Sequence, residues 1–211
     1  MSDENLGITK RTQDTRVSLG KGGIQIERRG RPVGGEIAAL GYVYLVIDCS
    51  ASMAGDKIEQ ARQGALDFAR EAFSRSYAVG VIQFDTTPIH ICGPQQSMTE
   101  LMRHVYTLAI GKLTNMAGGI QMAADRLLHK AGARVIVLVT DGYPDNPDLA
   151  VLEAERAKSD GIDIITIGTD DADRLLLGRI ATRTDLSQMV ASDRLSTGIA
   201  GAAKMLPKTG Q

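Results

Sequence analysis

The stretch "VYLVIDCSAS", residues 43–52, decides how this chain is read. With Tyr42 before it, it opens as a near-continuous apolar run, the pattern of a strand buried on both faces. The run stops at Asp48, and hydroxyls follow at every second position, Ser50 and Ser52. Alternate side chains of an extended segment face the same way, so the two serines can act together beside the aspartate. Three roles suit such a strand end: a helix cap, a catalytic acid, or a cradle for a hard metal ion.

Outward from this strand the chain alternates. "GDKIEQARQGALDFAREAF" carries Ile58, Ala61, Ala65, Phe68, Ala69 and Ala72 at three- and four-residue intervals, which predicts an amphipathic helix. "YAVGVIQFD" reads as a strand and "TTPIHICG" as a second. The short turn at Asp85–Pro88 makes that pair antiparallel, and Pro88 suits a sheet edge. Apolar spacing predicts helices over 97–109 and 116–130, then a buried strand in "ARVIVLVTDG" ending at Asp141. In "NPDLAVLEAERAKSDG", Pro147 suits a first helical turn and Gly161 a C-terminal stop. A strand in "IDIITIGT", a helix over 172–183, a short strand in "SQMVAS" and a closing helix over 196–206 complete the series.

Repeated strand–helix–strand units force parallel pairing with right-handed crossovers. The expected fold is an open doubly wound, mostly parallel α/β domain over 39–207, with one antiparallel edge strand and helices on both faces. Residues 1–38 are expected to be a mobile extension, with one short extended piece around Ile24 and Ile26. A docking arm is the alternative reading of Arg28, Arg29 and Arg31. Residues 208–211 read as a C-terminal tail.

Composition narrows the function classes. The 211 residues are 43% hydrophobic and 23% charged with a net charge of -1, ordinary for a globular chain and without the basic excess of nucleic-acid binders. Aromatics amount to 4% with no Trp, too few for base-stacking platforms. No apolar run approaches the roughly 20 residues of a membrane-spanning helix. The polar start, "MSDENLGITK", has no signal pattern, so a cytoplasmic location is expected. Cys49 and Cys92 lie far apart without a CxxC motif and are expected as reduced, buried thiols.

Ligands of open parallel sheets bind outside the carboxyl ends of the strands. Asp48, Ser50 and Ser52 follow the first strand there, and Thr140 and Asp141 follow "VIVLV". Thr114 and Asn115 stand in the loop before the 116–130 helix. Each has a local reading. Ser52 or Asp56 can cap the first helix, Thr114 or Asn115 the next, and "TDG" is good turn chemistry. Together, two carboxylates and three hydroxyls make an all-oxygen set. Such a carboxylate pair needs a compensating positive charge. No Lys or Arg lies within "DCSAS" or beside Asp141, and Lys112 in the loop that carries Thr114 reads as the nearest candidate. A divalent cation of the Mg²⁺ type, with Mn²⁺ or Ca²⁺ as substitutes, supplies the charge directly.

The order Asp48-x-Ser50-x-Ser52, Thr114, Asp141 resembles the metal-ion-dependent adhesion site (MIDAS) of von Willebrand factor type A domains. "DCSASMAGDKIEQAR", "LTNMAGGIQMAADRL" and "VIVLVTDGYPDN" are similar to that family's three site segments. One departure is visible: Lys112 and Leu113 precede Thr114, where members often carry two glycines. The resemblance implies binding and no catalysis, with a partner protein's Glu or Asp carboxylate completing the metal's coordination. It also implies work inside complexes, for example with ATPase machines or kinase and phosphatase modules. Tyr143 and Asn146 read as specificity contacts or as turn residues.

An enzyme is the alternative. A Mg²⁺ site at such a sheet mouth also fits phosphoryl transfer, but aspartyl-nucleophile enzymes typically put a second acid where Ser50 stands. No GxxxxGK[ST] loop occurs. His90 falls in the edge strand and His104 and His129 on helices, away from the strand ends. A metal-free interaction module is the third reading.

Overall fold

The computed structural model describes residues 15–20, 23–28 and 39–209. The chain divides into two compact units, Met1–Ile37 and Ala38–Gln211. In the first, β1 (Thr15–Gly20) and β2 (Gly23–Arg28) pair antiparallel, with Thr15 opposite Arg28 and Gly20 opposite Gly23. The extended piece anticipated at Ile24 and Ile26 thus has a partner strand, in which Val17 and Leu19 alternate with polar neighbours. Arg29 and Arg31 of the suggested docking arm lie outside the described residues.

The second unit holds a six-stranded sheet. Its strands are β3 (Gly41–Asp48), β4 (Tyr77–Phe84), β5 (Ile89–Gln95), β6 (Ala133–Thr140), β7 (Asp163–Thr169) and β8 (Ser187–Val190). Their order is β5-β4-β3-β6-β7-β8, parallel throughout except for the antiparallel β4/β5 pair. The chain moves from β3 to one side and later returns to β3's other edge as β6. The crevice between β3 and β6 is therefore the topological switch point, where open sheets of this class bind ligands.

Helices α1 (Asp56–Ser74), α2 (Met98–Val105) and α6 (Leu195–Ala202) cover one face, and α3 (Met116–Leu127), α4 (Pro147–Ser159) and α5 (Arg174–Ile180) the other. Strand pleating divides the core accordingly: Val43, Leu45 and Ile47 face α1 and α6, while Tyr44 and Val46 face α3. A strand coated on both faces must be apolar at nearly every position, which is why "YVYLVI" lacks alternation.

Several helix ends differ from the sequence reading. The helix expected over 97–109 stops at Val105, although Leu108 keeps its apolar spacing. Leu108 is buried in a loop, because Gln83 captures the next residue: the Ala109 N–H donates to Gln83 Oε1 at 3.0 Å and Gln83 Nε2 donates to the Ala109 carbonyl at 2.9 Å. The 172–183 helix begins at Arg174, because the Asp173 carboxylate caps the Leu175 and Leu176 N–H groups at 2.9 and 3.0 Å. The 116–130 helix closes at Leu127, and the 196–206 helix becomes a tight turn after Ala202. Pro147 and Gly161, the latter at φ +72°, do bound α4 as expected.

Candidate metal centre

Asp48 is the last residue of β3, and Asp141 follows β6 directly, so the two carboxylates flank the switch-point crevice. Both are buried. Asp48 Oδ1 accepts the Ser50 N–H at 2.8 Å, and Asp48 Oδ2 accepts the Thr140 hydroxyl at 2.6 Å. Ser50 Oγ lies 3.1 Å from Ser52 Oγ, and the Ser52 hydroxyl donates to Asp141 Oδ1 at 2.7 Å. Four of the five expected donors thus form one continuous network across the mouth of two adjacent strands.

Capping claims little of this set. Gly55 precedes α1 without a side-chain cap, so neither Ser52 nor Asp56 performs that role. Asn115 does cap α3, its side-chain oxygen accepting the Gly118 N–H at 3.0 Å. Asn146 caps α4 in the same way, its side-chain oxygen accepting the Leu149 N–H at 3.0 Å.

Thr114 stands in the neighbouring loop. Its N–H donates to both oxygens of Asp145 at 3.1 Å, and its carbonyl accepts the Asp145 N–H at 3.1 Å. Among the described residues, no hydrogen bond joins its side chain to the other four donors. The loop is fixed by backbone contacts: the Gly111 N–H donates to the Cys49 carbonyl and the Asn115 N–H to the Asp85 carbonyl, each at 2.7 Å. Asp85 in turn accepts from Gln83 Nε2 at 3.1 Å. Glycine is required at 111, because a Cβ there would collide with the Asp85 carboxyl group.

Burial pushes the Asp48 carboxyl up to about 6, against the lowering effect of its bonds to Thr140 and Ser50 and with a further rise from Asp141. Burial, with Asp48 and Asp85 nearby, pushes the Cys49 thiol up to about 12, and that side chain packs into the core opposite the site. Both cysteines are free and buried.

The expectation that no cation stands beside Asp141 is corrected. Lys57, from the first turn of α1, places its ammonium 2.6 Å from Asp141 Oδ2 and 3.4 Å from Asp171 Oδ2. Burial pulls this ammonium down, but the hydrogen bond and charge of Asp141, backed by Asp171, outweigh it and raise its pKa. Lys57 lies five residues after Ser52 and 84 before Asp141, and apolar spacing places it on α1 without showing that its side chain turns to the crevice. Thr140, which fixes the second oxygen of Asp48, also stood outside the expected donor set.

The donor chemistry fits a hard divalent cation. Two carboxylates and two serine hydroxyls lie together, with no soft ligand among them. Two large side chains stand out at the rim, Tyr143 at 65% exposure and Leu113 at 51%.

Comparisons with known proteins agree on the architecture. Mouse (Mus musculus) matrilin-4 is 31% identical over 144 residues, 61% of this chain and 22% of matrilin-4. Matrilin-1 of the same animal is 28% identical over 118 residues, 49% of this chain and 23% of its own length. The chain therefore spans less than a quarter of either curated relative. The vWF domain of the type V pili tip protein Mfa5 from Porphyromonas gingivalis superposes with a TM-score of 0.72 at 15% identity, over 80% of this chain and 95% of that one. Proximal thread matrix protein 1 from the mussel byssus, solved with a zinc-occupied MIDAS motif, superposes at 0.68 with 17% identity, over 82% of this chain and 48% of that one. At these identities the structural likeness speaks for the fold. The von Willebrand factor type A domain model matches residues 43–200, most of the chain, and this protein belongs to that family.

Proposed function

We propose that this domain is a cation-dependent protein-binding module. Asp48, Ser50, Ser52, Thr114 and Asp141 hold a divalent ion of the Mg²⁺ type, and a Glu or Asp carboxylate from a partner protein completes its coordination. The single observation that carries this reading is the Asp48–Ser50–Ser52–Asp141 oxygen network at the switch-point crevice. The ion, when bound, supplies a Lewis-acidic centre for an external carboxylate. The chain's own residues do the rest. Thr140 and the Ser50 N–H orient Asp48, Asp145 holds the Thr114 loop, and the exposed Tyr143 and Leu113 frame the opening. A zinc-occupied MIDAS motif in a protein of the same fold supports a metal at this place. Assemblies with an ATPase, or with kinase and phosphatase modules, are the partners to test first.

The test is affinity capture by the native chain and by Asp48→Ala, each in Mg²⁺ and in chelator. Proteins retained only by the native chain in metal support the reading. Identical sets in all four conditions overturn it.

Lys57 places a cation beside Asp141, which phosphoryl transfer could also use. Ser50 still occupies the position where that chemistry needs a second acid. Hydrolysis of a generic phosphate ester in Mg²⁺, lost in Asp48→Ala, would establish an enzyme instead.

A further inference from the structure

Lys57 sits in an unfavourable place for a cation. It is the second residue of α1, where the helix dipole disfavours positive charge. Its side chain is 21% exposed and reaches Asp141, whose side chain is 0% exposed, while its second partner, Asp171, is 71% exposed. The ammonium therefore bridges a buried carboxylate and a solvated one. A buried carboxylate without a partner is costly, and among the described residues Lys57 is the only cation paired with Asp141.

Charge counting sets up a competition. Asp48 and Asp141 together bring two negative charges to the crevice. A divalent ion neutralises both, and then the Lys57 charge at Asp141 is surplus and repels the incoming ion. Asp171, already within 3.4 Å, offers that ammonium a solvated alternative.

We propose that Lys57 is a built-in competitor for the cation: it neutralises Asp141 when the site holds no metal and yields to Asp171 when a divalent ion enters. This inference rests on the cation-binding reading above. Lys57 then lowers metal affinity and sets the ion concentration at which the site fills. It also stabilises the metal-free domain, because it neutralises the buried Asp141 carboxylate.

Calorimetric titration with Mn²⁺ tests this on the full chain, with thermal unfolding in chelator as the second readout. Lys57→Met keeps the stem length and removes the charge. It should bind Mn²⁺ about 10-fold more tightly than the native chain and unfold at a lower temperature in chelator. Lys112→Met, which removes an exposed charge from the Thr114 loop, should change affinity by no more than about 2-fold. If Lys57→Met binds no more tightly than native, or if Lys112→Met gains as much, the competitor role is overturned.

A second pair keeps the test open should Lys57→Met not fold. Asp171→Asn should weaken Mn²⁺ binding more than Asp170→Asn, because of these two neighbouring aspartates Asp171 is the one that pairs with Lys57. Equal effects would reduce Asp171 to general field and sink the exchange. Should neither the native chain nor Lys57→Met take up Mn²⁺, the cation reading falls and this inference with it. Should the native chain bind and Lys57→Met gain nothing, only the inference falls.

Discussion

The two halves of the candidate centre are held by different means. Asp48 and Asp141 are continuations of β3 and β6, the two middle strands of the sheet, and inherit their positions from a core buried on both faces. Thr114 belongs to a loop that follows a short helix and is tied down largely by hydrogen bonds to Gln83, Asp85, Cys49 and Asp145. The first half is placed by hydrophobic packing and the second by a handful of hydrogen bonds. Packing of that density moves little, whereas hydrogen bonds of about 1 kcal/mol each can be exchanged. The strand-end half is thus the fixed jaw of the candidate site, and the Thr114 loop is its less tightly held part.

The sharpest way to break this contrast is at Asp48. Asp48→Asn should abolish the rise in unfolding temperature produced by Mn²⁺ while leaving the fold intact. In chelator the same variant reads out the cost of the buried charge. The folded-state value is about 6, above the ordinary 3.8, so the fold favours the protonated acid. That contribution is complete below about pH 4 and is lost as the pH rises through about 6. Denaturant unfolding of native and variant chains in chelator should therefore show a gap favouring Asp48→Asn that opens between those limits. A gap independent of pH would contradict the burial of this charge.

The loop half should fail differently. Gln83→Leu strands the Ala109 N–H and carbonyl, and a loss of about 2 kcal/mol in unfolding free energy is expected. Mn²⁺ affinity should fall with it, because the Thr114 loop loses its anchor. Unchanged affinity would mean that Thr114 is positioned by Asp145 alone.

Thr114→Ala should act on the ligand and not on the fold. Its hydroxyl has no hydrogen bond among the described residues, so stability in chelator should stay within about 0.5 kcal/mol of native. A several-fold loss of Mn²⁺ affinity is the result that keeps Thr114 in the donor set. The smallest effect concerns the thiols. Cys49 and Cys92 are buried and burial raises both, so a thiol reagent at neutral pH should label neither in the folded chain and both after denaturation. Rapid labelling of Cys49 in the folded chain would mean that the wall of the fixed jaw opens.

Much of this was legible in the residues. Runs such as "YVYLVID" and "ARVIVLVT" have one physical solution in a chain of this size, a strand covered on both faces. The antiparallel β4/β5 pair follows from a turn too short for a crossover. Asp48, Ser50, Ser52 and Asp141 are readable because each stands at or just past the end of such a strand, and strand ends of a parallel sheet all point to one rim. Less legible was whatever depends on partners distant along the chain. The 97–109 helix was overextended because the spacing of Leu108 matches a helical face, and nothing local announces that Gln83 will capture Ala109. Thr140 is visible at the strand end, but nothing in the sequence shows that its hydroxyl binds Asp48.

The sequence by itself determined the doubly wound architecture and the rim on which the oxygen donors gather, since hydrophobic period and strand-end position are local properties. Only the tertiary structure decided that Lys57 neutralises Asp141 and that the Thr114 loop hangs from Gln83 and Asp85. Charge pairing and hydrogen bonding act over a few ångströms in space, and a linear sequence carries no distance between residues that the fold brings together.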